Sequence, residues 1–284
     1  MAQVKRRPDV TLSRRAFHVL LAWCIVSAAA HAALAQTAEE PYKPIIGQAG
    51  RDAVWVPTPP VLIEKMLDMA RVTPQDYVID LGSGDGRNVI AAAKRGARAL
   101  GVEYNPDLVE LSKRIAAAEG VAEKAVFVQG DMYAADISQA TVLALFLLPE
   151  NLQKLIPKFL DLRPGTRIVV NQFGVPGWNP DETGTVEGDC GSWCTALLYL
   201  VPAKVAGTWR LPQGELTLEQ RFQMISGTLS SGGTSMPIAG RLLGDQISFT
   251  AGGIEYAGRV AGDTIVGIAK GSASAAWTAT RKRS

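Results

Sequence analysis

The alternation of apolar and polar residues changes character twice along the 284-residue chain. A continuous apolar run, AFHVLLAWCIVSAAAHAALA, occupies residues 16–35. From about Val61 to Leu200, short apolar runs alternate with segments of helical periodicity, which is typical of a doubly wound α/β sheet. From about Ala206 the helical pattern stops, and alternating runs separated by Gly-containing turns predict a small antiparallel sheet or barrel of five to seven strands.

The N-terminal run has the features of an export signal. Basic residues precede it, and the sequence Ala33-Leu34-Ala35 predicts cleavage after Ala35. The segment Ser13-Arg14-Arg15-Ala16-Phe17 resembles the twin-arginine motif of signals that export folded proteins. We expect an exported, periplasmic protein; a membrane-anchored or cytoplasmic chain is the alternative, because ~20 apolar residues also suffice to span a bilayer.

Composition and charge exclude several classes of protein and partner. With 47% hydrophobic and 20% charged residues, the chain is neither disordered nor a disulfide scaffold. Its formal charge of +2 belongs to the predicted signal, because residues 36–284 carry 24 Lys/Arg and 26 Asp/Glu. We therefore expect no nucleic-acid partner.

The cysteine and histidine content bears on metal and redox chemistry. Both histidines, His18 and His31, lie in the predicted signal, so no metal site is expected. Cys190 and Cys194, in C-G-S-W-C, are the only thiols after the predicted cleavage point. They would form a disulfide in an oxidising compartment and remain thiols in a reducing one.

A glycine-rich turn follows the first predicted strand of the α/β region. In the sequence YVIDLGSGDGRNVI, a buried strand carries Asp80 near its end, and Gly82, Gly84 and Gly86 precede a helix. Glycines at such a turn let the backbone bend sharply and approach a ligand. The first half of the chain is therefore expected to bind a nucleotide-like molecule.

Acidic residues also end the next two predicted strands. ARALGVEY ends near Glu103, 17 residues after Gly86, and AVFVQGDM ends in Gly130-Asp131-Met132. A carboxylate at a strand end is suited to accept both hydroxyls of a ribose. Because the C-terminal ends of parallel strands share one edge of the sheet, these acids are expected to line one crevice.

The motifs V-I-D-L-G-S-G-D-G, G-V-E-Y-N-P and V-Q-G-D-M resemble those of the class I S-adenosylmethionine-dependent methyltransferases, over about Val56 to Pro202. The resemblance implies a mostly parallel seven-stranded sheet and S-adenosylmethionine as cosubstrate. It places the methionine portion at Asp80 and the glycine turn, the ribose at Glu103 and the adenine at Asp131. The cosubstrate-binding residues it implies are Asp80, Gly82, Ser83, Gly84, Gly86, Glu103, Tyr104, Asp131 and Met132.

Three loops bear on the methyl acceptor. Amino-directed nucleic-acid methyltransferases carry an Asp/Asn-Pro-Pro-aromatic loop after the fourth strand. This chain instead has Pro149-Glu150-Asn151-Leu152 there. The loops V-P-T-P, L-F-L-L-P-E-N-L and N-Q-F-G-V-P-G-W-N-P-D are similar to those of bacterial relatives of small protein-lysine methyltransferases. Those enzymes modify membrane proteins such as the c-ring protein of ATP synthase and the adenine nucleotide translocase.

This second resemblance implies methyl transfer to an amino nitrogen, foremost a protein lysine, with membrane proteins among the substrates. The alternatives are a methyltransferase for a small amine or other small molecule, and an exported nucleoside- or S-adenosylmethionine-binding protein without catalysis. No catalytic residue is assigned. Residues expected to wall the acceptor side are Trp55, Thr58, Leu148, Glu150, Phe173 and Trp178.

Two of these acceptor-side residues have an alternative role. Glu150 would either orient an ammonium group or stabilise the first turn of a helix. Trp178 would belong either to an acceptor cage or to the core. The predicted organisation is an export signal (1–35), a lead (36–57), a methyltransferase domain (58–205) and a β-rich C-terminal domain (206–284).

Overall fold

The computed structural model of the protein describes Met1, Gln3, residues 42–212 and residues 214–282. Apart from Met1 and Gln3, the predicted export signal and its twin-arginine motif lie outside these residues. In the described part of the chain, no helix has the length and apolar character needed to cross a membrane.

Four helices and seven strands form the first part of the described chain. The helices are α1 (Pro60–Met69), α2 (Arg87–Lys94), α3 (Pro106–Ala118) and α4 (Pro149–Leu160). The strands are β1 (Tyr77–Leu81), β2 (Arg98–Glu103), β3 (Ala125–Gln129), β4 (Val142–Leu145), β5 (Arg167–Asn171), β6 (Glu182–Thr185) and β7 (Thr195–Leu200).

These seven strands form one sheet in the order β3-β2-β1-β4-β5-β7-β6. Strands β1 to β5 are parallel to their neighbours within this group, and β7 is antiparallel to both β5 and β6. The strand order reverses between β1 and β4, which is where a doubly wound sheet opens a crevice at its C-terminal edge. The predicted mostly parallel, doubly wound fold is confirmed.

Helices cover both faces of the sheet. Val78 packs in a core with α1, α2 and α3, whereas its neighbour Ile79 packs in a second core with α4. Successive strand residues point to opposite faces, so a strand buried on both sides needs continuous apolar sequence, as in β4 and in the residues of β1 before Asp80. The two layers hold the C-terminal strand ends, where the site lies, in fixed positions.

The C-terminal part is a closed antiparallel barrel. Its eight strands are β8 (Gly207–Leu211), β9 (Gly214–Arg221), β10 (Met224–Ser231), β11 (Thr234–Leu243), β12 (Gln246–Ala251), β13 (Ile254–Ala261), β14 (Thr264–Lys270) and β15 (Ser274–Arg281). Pairing of β15 with β8 closes the barrel. Alternating inward side chains, among them Trp209, Leu242, Phe249 and Trp277, fill its interior.

The antiparallel β-domain is confirmed, but the expected count of five to seven strands is wrong. The run LTLEQRFQMI reads as one strand, whereas the structure ends β9 at Arg221 and starts β10 at Met224. The turn between them has no glycine; Phe222 itself adopts a φ of +51°. A bulky residue rarely takes this conformation, so local sequence does not signal the turn.

Candidate active site

A cavity lies at the C-terminal ends of β1 to β4, beneath a segment that precedes α1. That segment, residues 48–58, includes Trp55 and forms one wall. The sheet side is lined by Asp80, Gly82, Ser83, Gly84, Asp85, Arg87, Asn88, Val102, Glu103, Tyr104, Asn105, Gly130, Asp131, Met132, Phe146 and Leu147. Eight of the nine residues predicted to bind the cosubstrate therefore lie together, and only Gly86 is outside the lining.

Asp80 is almost completely buried at the end of β1. Its Oδ2 accepts a hydrogen bond from Asn88 Nδ2 at 3.1 Å, while Oδ1 has no partner in the described part of the chain. Burial raises the pKa of Asp80 well above its ordinary value. A buried carboxylate oxygen without a donor is suited to receive one from a ligand, foremost a cationic one.

The glycine turn brings its backbone against neighbouring side chains. Gly84 has a φ of +56°, and a Cβ placed on it would lie 2.7 Å from Trp55 Nε1. Gly86, with a φ of +81°, is the N-cap of α2 and has no room for a Cβ beside Phe127. Ser83 is buried, and its Oγ has no hydrogen-bond partner among the described residues. This Oγ lies against β2, since a Cβ placed on Gly101 would be 2.6 Å from it.

Glu103 is positioned by backbone amides at the end of β2. Gly84 N donates to Glu103 Oε2, and Asn105 N donates to Oε1, each at 2.9 Å. Each carboxylate oxygen retains acceptor capacity, because an ionised carboxylate has about four lone-pair sites. The two amides fix a carboxylate whose remaining lone pairs are available to ligand hydroxyls.

Arg51, which sequence reasoning missed, closes the adjacent part of the cavity. Its Nη1 lies 3.0 Å from Asp131 Oδ2, and its guanidinium lies 4.5 Å from the ring centroid of Tyr104. The hydrogen bond from Tyr133 N and the Arg51 charge lower the pKa of Asp131. The predicted lead showed no periodic pattern, so nothing in the sequence singled out Arg51.

Thr58 lies on the cavity wall and is buried. Its carbonyl accepts a hydrogen bond from Arg87 Nη1 at 2.9 Å, and Arg87 also pairs with Asp85. Thr58 Oγ1 accepts a bond from Asn171 Nδ2 at 3.4 Å. Thr58 therefore connects the cosubstrate cavity to the end of β5.

Four predicted acceptor-side residues do not line the cavity: Leu148, Glu150, Phe173 and Trp178. Phe173 lies next to it, with its ring centroid 6.2 Å from that of the cavity residue Phe146. Leu148 is the N-cap of α4, and Glu150 is exposed in the first turn of that helix. Trp178 is buried in the core, where its ring stacks on Phe222 at 5.2 Å and meets Tyr199 edge-on at 5.4 Å. Phe222 lies in the β9–β10 turn, so Trp178 joins the sheet domain to the barrel rather than walling an acceptor pocket.

The geometry fits S-adenosylmethionine. The unpartnered Asp80 Oδ1 can accept a hydrogen bond from the ammonium of an amino-acid group, and Glu103 faces the cavity with spare acceptor sites. A glycine turn and acids at three successive strand ends, around one cavity at the switch point of a doubly wound sheet, define a class I S-adenosylmethionine-dependent methyltransferase.

Known proteins match this chain over the sheet domain. The family model described as the ANTKMT methyltransferase domain matches residues 80–182. A protein-lysine N-methyltransferase from Saccharolobus islandicus (strain REY15A) is 41% identical over 150 residues, which cover 52% of this chain and 92% of that protein. The Mus musculus lysine N-methyltransferase named for the c-ring protein of ATP synthase is 37% identical over 140 residues, 49% of this chain and 56% of the mouse protein.

A solved RNA methyltransferase from Salinibacter ruber, in complex with S-adenosyl-L-homocysteine, is 44% identical; the match covers 53% of this chain and 96% of that chain, with a TM-score of 0.49. The chain thus spans nearly all of the archaeal relative but little more than half of the mouse one. It belongs to the ANTKMT-type methyltransferase family and is an S-adenosylmethionine-dependent methyltransferase.

Proposed function

We propose that the protein is a protein-lysine N-methyltransferase, with membrane proteins among its substrates. The observation that carries the proposal is the 41% identity to an archaeal protein-lysine N-methyltransferase over 92% of that protein's length. The mouse relative, named for a component of ATP synthase, supports a membrane-embedded substrate. We do not expect nucleic acid to be the methyl acceptor, because residues 36–284 carry more acidic than basic residues.

The residues at the strand ends would hold S-adenosylmethionine by complementary chemistry. Asp80 Oδ1 would accept hydrogen bonds from the ammonium of the methionine portion, beside Ser83. Glu103, held by its two backbone amides, would accept the ribose hydroxyls. Asp131 would face the adenine amino group, and Met132 would contact the ring.

Methyl transfer needs little acid–base assistance. The lone pair of a neutral lysine Nζ attacks the methyl carbon in line, the carbon–sulfur bond breaks, and its electron pair returns to sulfur. The lysine ammonium loses one proton to solvent before the attack, and the products are S-adenosylhomocysteine and a methylated ammonium. Positioning is therefore the main contribution expected of the protein, and apolar walls that favour the neutral amine are the second.

We also propose that the protein is exported and that residues 1–35 are removed. The Cys190–Cys194 disulfide supports this, because such bonds persist in oxidising compartments. Fractionation of cells that produce a C-terminally tagged chain tests it. A tagged product in the periplasm beginning at Gln36 is expected, and a full-length product in the cytoplasm would refute the proposal.

Transfer of tritiated methyl groups tests the function. Purified protein is mixed with labelled S-adenosylmethionine and a bacterial membrane-protein extract, and a matched extract has its lysines acetylated with acetic anhydride. Label is expected in the untreated protein and recovered as methyllysine after acid hydrolysis. It should be absent from the acetylated extract and from reactions with Glu103→Ala. Label that enters only RNA or small amines would overturn the lysine assignment.

A further inference from the structure

Three aromatic rings from separate parts of the chain meet beside the cosubstrate cavity. Phe146 follows β4, Phe173 follows β5, and Trp193 lies between the two cysteines. The Trp193 ring centroid lies 5.2 Å from that of Phe146 and 5.8 Å from that of Phe173. All three side chains are half-buried, and Phe146 also lines the cavity. A partly open aromatic surface therefore continues from the cosubstrate site.

Two buried amide oxygens lie on the chain next to this surface. Asn171 Oδ1 and Gln172 Oε1 have no hydrogen-bond partner within residues 42–212 and 214–282. Gln172 adopts a φ of +62°, unusual for a residue with a side chain, and its backbone N donates to Thr195 O at 2.8 Å. Both unpartnered atoms are acceptors, so a ligand that satisfies them must be a hydrogen-bond donor.

The loop that carries Trp193 is fixed and acidic. The disulfide joins Cys190 to Cys194, and Trp193 N donates to Cys190 O at 2.9 Å. Glu187 and Asp189 are exposed on the same loop. Their negative charge favours a cationic substrate over one that carries phosphates.

We propose that these residues form the acceptor subsite, in which a primary alkylamine side chain of the lysine type is bound. Phe146, Phe173 and Trp193 surround the methylene chain, and the amide oxygens of Asn171 and Gln172 accept hydrogen bonds from the amine. The hydrogen bond between Asn171 and Thr58 places this end of the subsite against the cosubstrate wall. The inference rests on the proposed function, because it names where the lysine binds.

Steady-state kinetics with the membrane-protein extract as acceptor test the subsite, with calorimetry of S-adenosylmethionine binding alongside. Trp193→Ala is expected to raise the KM for the extract at least tenfold and to change the dissociation constant of S-adenosylmethionine less than twofold. Trp193→Phe should recover most of the loss, because a ring is retained. Replacing both cysteines with serine should raise the KM in the same direction, because Trp193 is released.

The amide oxygen is tested by Gln172→Gly, which removes the side chain without backbone strain. Arg71→Gly is the matched control, since Arg71 is exposed after α1 with a φ of +48°. A raised acceptor KM for the first variant and unchanged kinetics for the second are expected, with melting temperature recorded for each.

The possible results separate the inference from the proposed function. If the wild-type protein labels lysine and the Trp193 and Gln172 variants keep its acceptor KM, the subsite is wrong and the function stands. If the wild-type protein labels no lysine, the function itself fails. Label in RNA that is lost in Trp193→Ala would show that the rings stack on a base, which also overturns the amine assignment.

Discussion

Arg51 forms an ion pair with Asp131 across the mouth of the cosubstrate cavity, with 3.0 Å between Nη1 and Oδ2. The same guanidinium covers the ring of Tyr104. Arg51 thus fastens the segment that precedes α1 to the ends of β2 and β3. Both contacts are partly exposed, so solvent screens them and their energetic contribution is modest.

Replacement of Arg51 with alanine should weaken S-adenosylmethionine binding by about 5- to 30-fold, the equivalent of about 1–2 kcal/mol. The loss should appear mainly as faster release, because the covering segment is less firmly held. Stopped-flow fluorescence of Trp55 would measure the release rate. Arg51→Lys should retain part of the ion pair, and an Arg51→Ala variant with unchanged release would show that the segment closes without this contact.

Asp80 should make cosubstrate binding dependent on pH. Burial raises its pKa, so the free enzyme holds a neutral acid at low pH and a carboxylate at high pH. The carboxylate pairs better with the ammonium of the ligand, so affinity should rise as pH increases through the folded-state pKa. Below that pKa, binding should release a proton, and calorimetry in buffers of different ionisation enthalpy would detect it.

Asp80→Asn is the matched variant, because it keeps the shape and removes the charge. Its affinity should vary little with pH and should fall at least tenfold below the wild-type value at high pH, about 1.4 kcal/mol. Folding stability should depend on pH in the opposite direction to cosubstrate affinity. A folded-state pKa above the unfolded value favours folding at low pH, and this contribution is lost as pH rises through the folded-state pKa.

Gly84→Ala tests the close contact at the glycine turn. Gly84 and Gly232 share a φ of +56°, but a Cβ on Gly84 would strike Trp55, whereas one on Gly232 would meet no atom within 4 Å. Both substitutions incur the backbone cost, about 1–3 kcal/mol in stability. Only Gly84→Ala should also reduce S-adenosylmethionine affinity, by more than tenfold. Equal affinities in the two variants would contradict a role for the turn in binding.

Trp178→Ala distinguishes a core residue from an acceptor wall. The loss of its stack with Phe222 and its contact with Tyr199 should lower the free energy of unfolding by about 3–5 kcal/mol. The KM for acceptor should stay at the wild-type value where the variant is folded. Trp178→Phe should cost less, because a ring remains and the buried, unpartnered indole N–H is removed. A raised KM for acceptor with an unchanged melting temperature would show that Trp178 belongs to the acceptor site.

The sequence predicted the cosubstrate side far better than the acceptor side. Asp80, Glu103 and Asp131 each lie within two residues of the C-terminal end of a strand. Because parallel strand ends meet at one edge of the sheet, the local pattern was enough to predict that these residues lie close together. Arg51 lies in a segment without periodicity. Phe146, Phe173 and Trp193 are brought together only by the tertiary fold, so no local pattern identifies them as a cluster.

The contact between Trp178 and Phe222 could not be predicted from local sequence for the same reason. An aromatic residue in a loop has the same local appearance whether it contacts a substrate or another domain. The barrel turn at Phe222 takes an unusual backbone conformation without a glycine to mark it. The ring of Phe222 stacks on that of Trp178, and this contact offsets the strain of the Phe222 backbone.

The β5–β6 connection runs from the region beside the cosubstrate cavity to the barrel. It begins with Gln172 and Phe173 beside the cosubstrate cavity and continues to Trp178, five residues further along, which stacks on the barrel turn. Asp181, at the end of the same connection, pairs with Arg241 of β11. The segment that carries the proposed acceptor-binding side chains is therefore the same segment that anchors the barrel to the methyltransferase sheet.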